Sequence, residues 1–192
     1  FDATDWNTSQ TVTLTAVDDN FDDGDITTNI TLTAAGADYN TVVTTNSVIT
    51  VDDDTAGYGI TPTGIKTVTE AGSAQNYVVT LNSQPENEVQ IEVTSSDGTE
   101  VTVSPDKLIF NTATADWKNG LTVTVTGKAD DELDGSIDSV VTFNVRDADS
   151  DDVYDVLADQ SRTVRTTDTD TPKILLSDTS GLSVKEEGTN VS

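Results

Sequence analysis

The stretch DWKNGLTVTVTGKADDELDGS (Asp116–Ser136) joins an alternating run of apolar and polar residues to an acidic cluster. In Leu121–Thr126, apolar residues alternate with threonine, which predicts a half-buried β-strand. The β-branched side chains of Val and Thr favour the pleated surface of a sheet. The same pattern occurs 111 residues earlier in DWNTSQTVTLTAVDDNFDDGD (Asp5–Asp25), so the chain contains an internal repeat.

Two further matches extend the repeat at an offset of 116 residues. VDDDTAGYGI (Val51–Ile60) recurs as TDTDTPKILL (Thr167–Leu176), and TVTEAG (Thr67–Gly72) recurs as SVKEEG (Ser183–Gly188). A period of 111 to 116 residues is a normal domain size. We therefore predict a tandem array in three parts: the C-terminal half of a first repeat (1–56), a complete repeat (57–172) and the first strand of a third repeat (173–192).

The complete repeat contains six alternating runs and a shorter leading strand near Ile65–Thr69. The runs are Tyr77–Leu81, Val89–Thr94, Lys107–Phe110, Leu121–Thr126, Val140–Val145 and Arg162–Thr166. Turn signals such as SQPEN (Ser83–Asn87) separate them, and we find no convincing stretch with helical periodicity. Seven strands in a repeat of this length predict an all-β fold, an immunoglobulin-like antiparallel β-sandwich with Greek-key connections.

Composition and charge exclude several classes of function. The chain has 35 acidic and 9 basic residues, a net charge of −26, so nucleic acid and anionic membrane surfaces are poor partners. No stretch approaches 18 consecutive apolar residues, and membrane insertion is not expected. Cysteine and histidine are both absent, which removes disulfides, zinc-finger ligation and Cys- or His-dependent nucleophilic catalysis.

The acidic residues cluster at strand ends and in loops. In the complete repeat these are Glu70, Asp97, Asp130, Asp131, Asp134, Asp168 and Asp170, and in the first partial repeat Asp18, Asp19, Asp23, Asp52, Asp53 and Asp54. Loops that are distant in sequence converge at one end of a Greek-key sandwich, so these side chains are predicted to form an oxygen-only site. Ca²⁺ prefers such a set of ligands, whereas Mg²⁺ retains more of its water.

Other readings of these residues remain open. A single aspartate is usually part of a solvated surface, but clusters that recur in two repeats favour a metal. Paired carboxylates can also hydrolyse glycosides, yet these lie in Gly- and Asp-rich loops rather than an apolar cleft, and we predict no enzyme. Trp6 and Trp117 could be sugar platforms, although their neighbours favour core positions.

Three segments of the chain resemble the Calx-beta repeat. They are VTEAGSAQNYVVTLNSQP (Val68–Pro85), LIFNTATADWKNGLTVTVTGKADDELDG (Leu108–Gly135) and TVRTTDTD (Thr163–Asp170), and the resemblance covers 57–172. This family includes regulatory domains of sodium–calcium exchangers and repeats of large bacterial surface proteins and adhesins.

The resemblance implies calcium ligands at five positions, with two further candidates. The five are Glu70, Asp130, Asp131, Asp168 and Asp170, and the further candidates are Asp134 and Asp97. Thr169 stands where the first partial repeat has Asp53, which implies one charged ligand fewer in the complete repeat. Glu186 is expected to serve the site of the following repeat.

These observations predict a calcium-binding structural repeat of a secreted or cell-surface bacterial adhesin or extracellular filament, with Ca²⁺ stiffening the joints between repeats. The expected partners are neighbouring repeats or identical subunits, with a glycan or cell-surface ligand elsewhere in the parent protein. The two partial repeats are compatible with strand complementation between chains, but together they are shorter than one period, which favours an excerpt of a continuous array. The alternative function is a carbohydrate- or protein-binding sandwich with calcium-organised loops.

Overall fold

The computed structural model describes residues 1–36 and 38–174. The predicted Glu186 and most of the third repeat therefore lie outside the described residues. The strands are β1 (Ile26–Thr33), β2 (Val43–Thr50), β3 (Tyr58–Thr61), β4 (Lys66–Thr69), β5 (Ala74–Leu81), β6 (Val89–Ser95), β7 (Val101–Ser104), β8 (Lys107–Phe110), β9 (Leu121–Gly127), β10 (Ile137–Val145) and β11 (Gln160–Thr167). A short helix, α1 (Asp116–Asn119), and a 3₁₀ turn (Asp147–Asp149) complete the described secondary structure.

The nine strands β3 to β11 form two sheets, which confirms the predicted all-β sandwich. One sheet has the strand order β4-β11-β10-β6-β8, and the other has the order β3-β5-β9-β7. All neighbouring strands are antiparallel except β4 and β11, which are parallel. Glu70, Asp168 and Asp170 lie at the end of the sandwich where this parallel pair finishes.

The core lies between the two sheets and follows the alternation seen in the sequence. In β5 and β10, every second residue is buried, as expected for strands with one face against the core. Tyr77 and Phe143 are both fully buried and meet edge to face, with ring centroids 6.2 Å apart. Trp117 is half-buried and packs against this core, as predicted, whereas Trp6 is 72% exposed.

Two strands of the complete repeat were not predicted. β3 and β7 have four residues each, and their place in the sheet comes from pairing with β5 and β9. The first strand of the repeat is in fact divided: β3 pairs with β5 in one sheet, and β4 pairs with β11 in the other. Pro62 and Gly64 lie in the connection and allow the chain to pass from one sheet to the other.

The first partial repeat contains the antiparallel pair β1 and β2. Ile26 pairs with Thr50 in the same way that Ile137 pairs with Thr166 in the complete repeat, which corresponds to the two sequence offsets of 111 and 116 residues. Residues 10–16, which match β9 in sequence at the offset of 111, belong to no strand. The pair β1–β2 is therefore the local equivalent of β10–β11.

Candidate metal centre

The parallel pair β4–β11 places two acidic segments side by side. β4 ends at Thr69 and is followed by Glu70, and β11 ends at Thr167 and is followed by Asp168. The backbone N–H of Glu70 donates to the carbonyl of Thr167 (3.2 Å), so the pairing continues one residue past β4. The backbone N–H of Thr169 in turn donates to Oε2 of Glu70 (3.0 Å). The side chain of Glu70 is thereby fixed against the segment that leaves β11.

Three carboxylates meet at this point. Glu70, Asp168 and Asp170 each offer one oxygen, and these oxygens all lie within 4.8 Å of one another. Glu70 is only 2% exposed, and its buried Oε1 has no hydrogen-bond partner among the described residues. Three like charges and an unpaired buried oxygen are unfavourable in the protein alone. A hard divalent cation would reverse the repulsion and pair the oxygen, so the residues fit such an ion.

The loop after β9 approaches the same centre. Oδ2 of Asp168 accepts from the backbone N–H of Gly135 (3.0 Å), which ties this loop to the end of β11. Gly135 has a φ of 81°, a conformation that a residue with a Cβ rarely adopts. Asp130 and Asp134 lie in this loop, and their charges raise the pKa of the buried Glu100. Asp131 is exposed, and no contact described in this structure joins it to the centre.

Glu100 is the acidic residue that the sequence reasoning missed. It is 4% exposed, and within the described part of the chain its buried Oε2 has no partner. Burial raises the pKa of Glu100, and the charges of Asp134 and Asp130 raise it further, followed by those of Asp97 and Glu70. The available signal was weak: a glutamate that directly precedes the apolar Val101 at the start of β7.

Asp97, the residue predicted in that loop, is engaged locally. Its Oδ1 accepts from the backbone N–H of Thr99 (2.9 Å) and from the Thr99 hydroxyl (2.5 Å). These hydrogen bonds hold the pKa of Asp97 below its usual value. Asp97 thus forms the turn before β7, while Glu100 supplies the buried carboxylate from the same loop.

The first partial repeat builds a similar acidic centre. Asp52 accepts from the backbone N–H groups of Gly24 (2.6 Å) and Asp54 (2.9 Å), as Asp168 does from Gly135 and Asp170. Asp18, Asp19, Asp52, Asp53 and Asp54 line one groove. Burial raises the pKa of Asp54, and the charges of the other four aspartates raise it further. Asp23 also lies beside Asp52 through its backbone N–H.

The middle position of the closing cluster is exposed in both repeats. Asp53 and Thr169 occupy it, and neither side chain is buried. Thr169 acts through its backbone N–H on Glu70. The replacement of Asp53 by Thr169 therefore changes a residue at the rim of the centre, not one of its three closest carboxylates.

The first acidic centre also contacts the complete repeat. Oδ2 of Asp22 accepts from the backbone N–H of Ala56 (2.7 Å), the last residue of the first partial repeat and two residues before β3. The carbonyl of Asn20 accepts from the backbone N–H of Gln84 (2.7 Å), in the loop after β5. The acidic loop of one repeat is thus hydrogen-bonded to a loop of the next.

No family model matches the chain, and no curated protein matches it. Similar solved structures include the apo-form Calx CBD1 domain, with 15% identity and a TM-score of 0.45, over 61% of this chain and 100% of that one. They also include the S-layer protein rSbsC(31-844), with 17% identity, a TM-score of 0.44, and coverage of 73% of this chain and 16% of that one. A C. elegans MSP family member, WR4, has 10% identity and a TM-score of 0.39, over 58% and 97% of the two chains.

Among the described residues, no helix is long and apolar enough to cross a membrane.

Proposed function

We propose that this chain is a non-enzymatic, calcium-binding structural repeat of a secreted or cell-surface adhesin or extracellular filament. One observation carries the proposal: Glu70 is 2% exposed, yet its carboxylate lies within 4.8 Å of Asp168 and Asp170. Buried acidic groups of like charge are retained when a cation or another partner compensates them.

The chemistry of the ligands supports calcium over other metals. Every side chain at the centre offers carboxylate oxygen, and the chain has no cysteine or histidine that would favour zinc or copper. Glu70, Asp168 and Asp170 would hold the ion, with Glu100 and Asp130 completing the negative field. Extracellular calcium modules bind with dissociation constants of about 10⁻⁴ to 10⁻³ M. Such sites fill outside the cell and stay empty at micromolar cytosolic calcium.

The position of the centre explains how calcium would act on the array. Asp168 and Asp170 lie where the chain leaves β11, and Glu70 lies where β4 ends. An ion held by all three would join the segment that leaves β11 to the end of β4. Pro172 lies two residues after Asp170 and restricts the backbone of this segment further. Calcium would therefore convert a flexible joint into a stiffer one, which is the property required of an extended surface fibre.

The test is a calcium titration of the full chain by calorimetry, combined with thermal unfolding and small-angle scattering. We expect calcium to raise the melting temperature and lengthen the particle, and chelator to reverse both effects. Magnesium at the same concentration is the control and should produce a smaller change. Equal melting temperature and equal dimensions in calcium and in chelator would contradict the proposal.

A further inference from the structure

The carboxylate of Asp22 binds the backbone of the segment that leaves the first partial repeat. Asp18, Asp19 and Asp23, which belong to the same loop, line the groove of the first acidic centre, whereas Asp22 is not among the residues that line it. Oδ2 of Asp22 accepts instead from the backbone N–H of Ala56 (2.7 Å), and both residues are half-buried. The structure thus separates Asp22 from the candidate metal ligands around it.

Ala56 is itself fixed on the complete repeat. It packs against the hydrophobic core between the two sheets. The carbonyl of the next residue, Gly57, accepts from the backbone N–H of Asn82 (2.9 Å), just after β5. Asp22 therefore ties the acidic loop of one repeat to a segment that is anchored on the next. This hydrogen bond constrains the direction in which the chain passes between them.

The complete repeat carries a matched change at the two equivalent positions. Leu133 stands at the position of Asp22, at the offset of 111 residues, and Pro172 stands at that of Ala56, at the offset of 116. Proline has no backbone N–H, so a carboxylate at position 133 would find no donor at position 172. A leucine and a proline ring can instead bury apolar surface against each other.

The two loops correspond in structure as well as in sequence. Gly24 and Gly135 have φ values of 78° and 81°. Each donates its N–H to the first aspartate of the closing cluster, Asp52 (2.6 Å) in one repeat and Asp168 (3.0 Å) in the other. The residue two positions before this glycine therefore lies at the same point of both loops. The acceptor and the donor are replaced together, which favours a shared contact between the two positions.

We propose that this pair of positions sets the direction in which the chain leaves each repeat. In the first repeat, Asp22 accepts from the N–H of Ala56, and in the complete repeat Leu133 packs on Pro172 at the surface. Asp22 and Leu133 are thus positioning residues of the joint and not metal ligands. The two versions cannot be mixed, because Asp22 opposite a proline loses its donor, and a leucine opposite Ala56 leaves an N–H without its acceptor. The contact contains no cation and goes beyond the proposed calcium function.

The test is a double-mutant cycle on the full chain, read by the distance between the two repeats. Because the sequence has no cysteine, Asn46→Cys and Thr112→Cys give a unique pair of sites for nitroxide spin labels. Both positions are exposed, one in the first partial repeat and one in the complete repeat. Pulsed electron paramagnetic resonance then measures the distribution of distances between the labels. We expect one narrow distribution for the labelled parent chain in calcium.

Asp22→Leu and Ala56→Pro should each broaden this distribution, because each removes one partner of the hydrogen bond. The double variant should recover the narrow distribution, since it recreates the pair formed by Leu133 and Pro172. Asp22→Asn keeps an acceptor oxygen and should also match the parent chain. Asp106→Leu is the control for an added leucine, at an exposed position between β7 and β8, and should have no effect.

A double variant as broad as the single variants would overturn the proposal, as would single variants that keep the narrow distribution. A broad distribution for Asp22→Asn would also overturn it, because the charge and not the acceptor would then control the joint. Circular dichroism of each variant checks that the sandwich remains folded. Failure of the proposed function is detected separately, as an absence of calcium binding in calorimetry of the unlabelled parent chain.

Discussion

Replacing Glu70 by glutamine tests the candidate metal centre, because the change should raise stability without calcium and remove the stabilisation that calcium gives. Without calcium, the Glu70 carboxylate repels Asp168 and Asp170, whose nearest oxygens lie within 4.8 Å. Two unit charges at that separation repel by about 3.5 kcal/mol at an effective dielectric constant of 20, and by about 0.9 kcal/mol in water. Glu70→Gln keeps the shape and removes the charge. In chelator, the variant should therefore be more stable than the parent chain, by about 1 to 3 kcal/mol.

With calcium, the difference in stability between the variant and the parent chain should shrink. At a free calcium concentration ten times the dissociation constant, an ion bound only to the folded state stabilises it by about 1.4 kcal/mol. For a domain of this size, that raises the melting temperature by about 5 °C. Glu70→Gln removes the buried charged ligand, so most of this rise should disappear in the variant.

The assay is thermal unfolding followed by circular dichroism, in chelator and in calcium, with the ionic strength matched by sodium chloride. Glu88→Gln is the control, because it makes the same chemical change at an exposed position away from the centre. It should leave the calcium-dependent rise unchanged. If Glu70→Gln keeps the full rise, or is less stable than the parent chain in chelator, the reasoning about this centre is wrong.

Two further predictions concern the support of the centre and the pH dependence of the fold. A Cβ on Gly127 would lie 2.2 Å from the carbonyl oxygen of Thr69, at the end of β4. Gly127→Ala should therefore displace β4, lower the free energy of unfolding in urea by about 1–3 kcal/mol and weaken calcium binding. Gly98→Ala is the control and should have neither effect, because a Cβ there meets no atom within 4 Å. Burial and the charge of Asp147 raise the pKa of Asp155 above 3.8, so this carboxyl favours the folded state below that pH and loses its contribution as the pH rises through the folded value. Asp155→Asn should therefore stabilise the chain at neutral pH but not below pH 3.8, and an equal gain in urea unfolding at both pH values would contradict this.

Sequence reasoning found the longer strands from their period, and it also found the four-residue strands β4 and β8. β5, β9 and β10 have seven to nine residues, and each was predicted within three residues of its observed ends. β3 could not be found in this way, because its four residues include Gly59 and its pairing with β5 depends on tertiary structure. Alternation reports which face of a strand is buried, but it needs several residues to be distinguished from chance.

The acidic centre shows a different limit. Glu70, Asp168 and Asp170 were predicted from the acidic clusters and from the resemblance to the Calx-beta repeat, and parallel pairing of β4 and β11 brings them together. Glu100 was missed in favour of Asp97, since both lie in one loop and aspartate is the commoner turn residue. Glu100 is buried and Asp97 is not, and this difference separates their roles. The burial of a loop side chain depends on the residues that pack over it, and a local sequence pattern does not contain that information.

Sodium chloride should reduce the repulsion between exposed charges over the whole chain, whereas calcium should reduce the repulsion at the acidic centre around Glu70. The net charge is −26, and the ion pairs found in the described residues, such as Arg165 with Asp138, lie on the surface. Exposed charges are screened by simple salt over about 8 to 10 Å, so sodium chloride should stabilise the chain and its Glu70→Gln variant alike. Screening acts less on Oε1 of Glu70, which is buried away from the solution. A stabilisation specific to calcium, present with Glu70 and absent with glutamine at the same ionic strength, is therefore evidence of direct coordination and not of a general ionic effect.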